Sequence, residues 1–132
     1  MTCAQNTSWK KANAAGLKAL DDGRYVEAEL QLAAALKMAE AFGEHDHRLG
    51  ASLNNLAEPY LAQGKYAQAE PLSKRALAIR EMTLGPEHPT VAEMLDHYAN
   101  LLRKMDRAAE AAKLKARPQA NRAKLAEENP TK

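Results

Sequence analysis

The sequence predicts an all-α protein, an α-solenoid of three helix–turn–helix pairs with about six helices. Three observations carry that expectation. Aromatic residues make up only 5% of the chain and it holds 6 Gly and 6 Pro, while Ala, Leu, Glu, Lys and Arg dominate. Such side chains lose little rotamer freedom on a helix. Secondly, Ala19-Leu20-Asp21-Asp22-Gly23-Arg24-Tyr25-Val26-Glu27-Ala28-Glu29 recurs as Tyr60-Leu61-Ala62-Gln63-Gly64-Lys65-Tyr66-Ala67-Gln68-Ala69-Glu70, 41 residues on. A fainter third copy follows 42 residues later: Leu53-Asn54-Asn55-Leu56-Ala57 becomes Leu95-Asp96-His97-Tyr98-Ala99, and Gly64 and Ala69 become Asp106 and Ala111. Thirdly, apolar residues recur at helical spacing, as in Leu53, Leu56, Tyr60 and Leu61, or Leu72, Ala76, Ile79 and the apolar stem of Arg80.

The elements follow in order. Helices are expected at 7–21, 25–42, 49–63, 67–83, 90–104 and 107–127. The first of each pair ends near a Gly-(Arg/Lys)-Tyr turn. Gly23 and Gly64 suit the left-handed conformation that closes a helix C-terminus, and Tyr25 and Tyr66 cover the bend. Small residues mark the places where helix axes come closest: Gly16, Ala57 and Ala99 on the first helices, Ala28, Ala69 and Ala111 on the second. Between pairs, Phe42-Gly43-Glu44-His45-Asp46-His47 takes the place of Leu84-Gly85-Pro86-Glu87-His88-Pro89. There Gly85 reads as a helix stop and Pro89-Thr90 as a helix start.

The motifs Leu53-Asn54-Asn55-Leu56-Ala57, Gln63-Gly64-Lys65-Tyr66-Ala67-Gln68-Ala69-Glu70-Pro71-Leu72 and Lys74-Arg75-Ala76-Leu77-Ala78-Ile79-Arg80-Glu81, completed by the Leu84 to Pro89 linker, resemble the tetratricopeptide repeat. The likeness is to the longer variant found in kinesin light chains and many bacterial proteins. It covers about residues 8–117 and is strongest in the middle copy. It implies a right-handed superhelix of three repeats at 8–48, 49–89 and 90–128, the last including a C-terminal capping helix. A disordered N-terminus over 1–7 and a tail at 129–132 complete the expected organisation.

Three prolines depart from the pattern. Pro59 falls in mid-helix, where it removes a hydrogen bond and crowds the carbonyl of Asn55, at about 3 kcal/mol in a regular helix. A kink or local opening is expected there. Pro71 sits just past a first turn, where bending is milder. Pro118 occupies a small-residue position and is expected to kink or restart the last helix as an atypical cap.

Charge and motif content narrow the function. Net charge is +2, with 10 Lys/Arg against 13 Asp/Glu in residues 1–100 and 9 against 4 in residues 101–132. The near-neutral body offers no field for nucleic acid, and no aromatic residues interleave the basic end as a stacking platform. The longest apolar runs fall far below the roughly 18 residues of a bilayer-spanning helix, so no membrane span is expected. The one cysteine, Cys3, excludes a disulfide framework and a multi-Cys zinc site. Met1-Thr2 is too short to be a signal peptide, so none is expected from these residues. If Met1-Thr2 are not native, Cys3-Ala4-Gln5 would open a mature bacterial lipoprotein, so a cytoplasmic and a lipid-anchored location both stay open. His45, His47 and His88 read as ordinary loop histidines, with His97 on a helix, because no zinc-ligand spacing accompanies them. The paired carboxylates Glu27/Glu29 and Glu127/Glu128 read as solvated helix positions. No catalytic triad order, phosphate-cradling loop or metalloprotease motif appears, so no enzyme, metal or cofactor is expected.

The positive signal is a surface. In stacked arrays the first helix of each pair lines a concave face. Three residues before the small contact position stand Asn13, Asn54 and Asp96. Next come Asn55 and His97, then Glu58 and Asn100 just beyond the small residue, and Arg103 one turn later. Asn amides both donate and accept, which suits pairing with a peptide backbone. The expectation is a non-catalytic module that binds a peptide segment of a protein partner in this groove. The alternative is a scaffold that stacks or dimerises through its terminal repeats.

Overall fold

A computed structural model describes residues 3–114. Five helices run in order: α1 (Cys3–Asp21), α2 (Tyr25–Glu40), α3 (His47–Ala62), α4 (Tyr66–Leu84) and α5 (Pro89–Lys104). A sixth, α6, begins at 108 and is described to 114. The expected kink at Pro118, the Glu127/Glu128 pair and most of the basic end lie outside the described residues. Each helix packs on its neighbour in sequence, and α1 also touches α3, so the pairs stack as an all-α solenoid.

The turn inside each pair is one backbone motif used three times. Arg24 N–H donates to the Ala19 carbonyl at 2.8 Å, Lys65 N–H to Tyr60 at 2.8 Å, and Arg107 N–H to Leu102 at 2.8 Å. Gly23, Gly64 and Asp106 donate to Leu20, Leu61 and Arg103. Such paired bonds satisfy the last carbonyls of the helix and require a left-handed residue. Gly23 and Gly64 supply it at φ 77° and 75°, while Asp106 adopts φ 61° despite its Cβ.

The helices between pairs start on side-chain caps. The Asp46 carboxylate accepts from Arg48 N–H at 2.9 Å, and 42 residues on His88 Nδ1 accepts from Thr90 N–H at 3.1 Å. Pro89 then takes the first helical position, as its missing N–H allows. The helix α1 starts at Cys3, four residues ahead of expectation. Arg48 donates to Asn6 Oδ1 at 3.1 Å, which ties this early turn to the α3 cap.

Leu32, Leu49, Leu53, Leu95 and Leu102 are fully buried, each burial contributing about 1.5–3 kcal/mol. Between the first two pairs, the Trp9 indole N–H donates to the buried Ser52 hydroxyl at 2.7 Å and its ring meets Phe42 edge-on. All six expected small contact residues are buried. At Gly16 even a methyl group would overlap the Leu32 side chain. The equivalent pair in the next repeat is Ala57 with Ser73, so the extra methyl on one helix is matched by a smaller residue on the other.

Helix α3 continues unbroken through Pro59, which is buried. The Gln63 side-chain amide donates to the Pro59 carbonyl at 2.9 Å, adding a bond to the last turn. Helix α4 likewise contains Pro71 without interruption.

Candidate functional site

The Ser73-for-Leu32 exchange bears on the space between α3 and α5. A groove of about 260 Å³ lies between α3 and α5, with Ser73 of α4 on its floor. Asn54, Ala57, Glu58 and Leu61 form one wall, and His97, Asn100, Leu101 and Lys104 the other. Where the first pair has a leucine in contact with a glycine, the second has a hydroxyl beside an alanine, and volume is left over.

The eight residues expected on the concave face divide into groups. Asn54, Glu58, His97 and Asn100 come together in this groove. Asn13 and Asn55 instead bond to each other, Asn55 donating to Asn13 Oδ1 at 3.0 Å. The repeat register explains the split. The residue three before the small position faces the following repeat, and the residue two before it faces the preceding one. Asn13 therefore meets Asn55, and by the same geometry Asn54 stands opposite His97. At the second junction neither Asn54 nor Glu58 has a side-chain partner among the described residues. Asp96 and Arg103 are exposed and outside the groove lining. Arg103 donates to Asn100 Oδ1 at 2.7 Å and so braces one groove residue.

Sequence reasoning on the first helices alone missed Ser73 and Lys104. Lys104 lies one turn beyond Asn100, and its ammonium stands 5.8 Å from the Tyr66 ring centre. Ser73 was discoverable by setting the second helices side by side, where it replaces Leu32. Tyr66 packs against Ala57, Ala69 and Leu101 and so does more than cover its turn. Tyr25, the corresponding residue of α2, is half-buried.

Polar contacts also bind the pairs together. Glu29 accepts from the Gln63 amide and from Lys65, the latter at 3.4 Å. The equivalent Glu70 accepts from Tyr98 at 2.9 Å and from Arg107 at 2.7 and 2.8 Å. The expectation that Glu29 is a solvated carboxylate is thus corrected: it is half-buried and holds two pairs together. The Arg107 guanidinium and the Tyr98 hydroxyl hold the Glu70 carboxyl below its ordinary range. Burial, with the Glu70 hydrogen bond second, pushes the Tyr98 phenol up to about 12. Glu110 and then Glu70 raise the Arg107 guanidinium further still. These shifts belong to the joint between repeats, not to the groove.

Among the described residues no group of three His, Cys, Asp or Glu side chains is placed to hold a metal ion. His45 and His47 are exposed, and His88 serves as a helix cap. No described helix is long and apolar enough to cross a membrane. A family model described as tetratricopeptide repeat matches the chain twice, over residues 7–82 and 48–117, and the two matches overlap on the second helix pair.

Proposed function

Because the chain belongs to the tetratricopeptide-repeat family, whose members are generally non-catalytic protein–protein interaction modules, we propose that it binds a peptide segment of a protein partner in the groove between α3 and α5. Its repeats are read as the 42-residue kind seen in kinesin light chains. The observation that carries the proposal is the exchange at the groove floor. Ser73 stands where the first pair has a filling leucine, and it leaves the half-buried Asn54 and Glu58 side chains facing open space. Their polar atoms are open to solvent, and a ligand there exchanges water for its own hydrogen bonds, each worth about 0.5–1.5 kcal/mol net. Asn54 offers a donor and an acceptor to a peptide bond. Glu58 on one wall and His97 with Lys104 on the other give side chains of opposite charge distinct places to rest.

The test uses the protein's own first repeat as the blocking agent. The double substitution Ala57→Gly with Ser73→Leu installs the Gly16–Leu32 pairing in the second pair and fills the groove without overpacking it. Peptides enriched from a random display library on the parent chain should lose at least about tenfold in affinity for this variant and for Asn54→Ala, the loss of one well-placed buried contact. Enriched peptides that bind all three proteins equally, or a library that yields none, would end the proposal.

A further inference from the structure

The outer face of α2 carries large apolar side chains where the other pairs do not. Val26 and Leu30, one turn apart, are 65% and 69% exposed. The repeat register puts Ala67 and Pro71 of α4, and Ala109 and Lys113 of α6, at the same two places, all of them exposed. The fold therefore does not require a large apolar residue there. The chain's own copies show what these positions carry when they face water.

The helical period continues the stripe from Val26 and Leu30 through Ala33 to Lys37, all exposed, with half-buried Ala34 beside it. The stripe has two halves: two knobs toward the N-terminus, and a flat floor of Ala33, Ala34 and the Lys37 stem toward the C-terminus. Its charges are divided in the same way. Glu27 lies next to Val26, sharing the exposed Arg24 at 2.6 Å, while Lys37 stands at the flat end with no ion-pair partner among the described residues. A surface that is raised and acidic at one end, flat and basic at the other, is complementary to itself when turned end over end.

We propose that α2 is a self-association surface that pairs antiparallel with α2 of a second copy of this chain. Val26 and Leu30 of each copy rest on Ala33, Ala34 and the Lys37 methylenes of the other, and each Lys37 ammonium reaches the opposite Glu27. Alanines at the crossing let two helices approach to about 8–10 Å. Lysine lays its stem over apolar surface while its head group stays solvated. This face shares no residue with the groove between α3 and α5, so either can fail without the other.

Sedimentation equilibrium of the full chain from about 1 µM to about 1 mM reads the outcome, a span of roughly 4 kcal/mol in association free energy. The expected result is a reversible monomer–dimer equilibrium. Leu30→Glu should raise the dissociation constant more than about tenfold while leaving the far-ultraviolet circular dichroism unchanged. Glu27→Lys alone and Lys37→Glu alone should each weaken self-association by placing like charges together. An equimolar mixture of these two variants should associate about as tightly as the parent, because every lysine then faces a glutamate. A strict monomer across the range, a dimer indifferent to Leu30→Glu, or a mixture no tighter than its components would overturn the proposal. So would a Leu30→Glu variant that loses thermal stability without a change in mass, since the face would then be covered by its own chain.

Discussion

Asp106 sits in left-handed backbone geometry, where its counterparts Gly23 and Gly64 have no Cβ to clash. An L-residue there costs about 1–2 kcal/mol. Replacing Asp106 with Ala keeps that cost, whereas Gly removes the clash. The two variants should differ by about 1 kcal/mol in favour of Gly in urea unfolding, against the usual order of these residues. Gly16 gives a second test at this scale. Gly16→Ala should cost about 1–3 kcal/mol by overpacking Leu32, even though alanine serves at Ala57 and Ala99. Adding Leu32→Ser should relieve the overlap, leaving only the cost of the lost apolar burial. A Gly16→Ala variant as stable as the parent would show that Leu32 moves aside freely. The small residues themselves were readable from their spacing. What each one demands of its partner helix was not, because Leu32 and Ser73 differ while the register around them is unchanged.

At the scale of single helices, the caps decide how firmly each pair begins. Asp46 combines a preferred cap with an ion pair to Arg48 at 2.8 Å, and Arg48 in turn stacks on Phe42 at 3.6 Å. The Arg48 hydrogen bond holds the Asp46 carboxyl at about 2, below its usual 3.8. A carboxyl depressed in the folded state stabilises fully above its unfolded value and loses that contribution as the pH falls through its folded one. The Asp46 contribution is therefore present above about pH 4 and lost between there and about pH 2. Asp46→Asn keeps a good cap but removes the titration, so its acid unfolding curve should be flatter than the parent's across that window. His88 holds the same place before α5 with a less favoured cap. His88→Asp should stabilise by about 0.5–1 kcal/mol, read from thermal unfolding at neutral pH. Helix positions were legible from the sequence to within four residues at each described end, since period and turn residues agree. The early start of α1 was not, because its support comes from Arg48, 42 residues beyond Asn6.

For the molecule as a whole, the sequence showed that pairs stack and which faces meet, but not which polar groups fasten them. Glu29 looks like an ordinary exposed glutamate on its own helix, yet its partners lie 34 and 36 residues away on the next repeat. The same blindness hid half of the groove: Asn54 and Asn55 are adjacent and identical, and only the stacked neighbour makes one of them a structural residue. At high pH the joint between the second and third pairs should give way first. The Tyr98 phenol is raised in the folded state, so its contribution is complete below about pH 10 and lost as the pH climbs toward about 12. Tyr98→Phe should flatten stability over that alkaline range, at the cost of a weaker hold on Glu70 at neutral pH.

The two joints of the solenoid are made of different materials. The first adds an aromatic and hydroxyl contact, Trp9 on Phe42 and Ser52, to its Glu29 cluster. The second relies for its polar fastening on Glu70, Tyr98 and Arg107. Ions in solution screen charges but leave apolar contacts intact. Viewed as an elastic rod, the molecule has ion pairs at both hinges, Glu29–Lys65 and Glu40–Arg75 at the first and Glu70–Arg107 at the second, and the first is also backed by the aromatic contact that salt leaves intact. Added salt should soften it unevenly, with amide exchange quickening in α5 before α3.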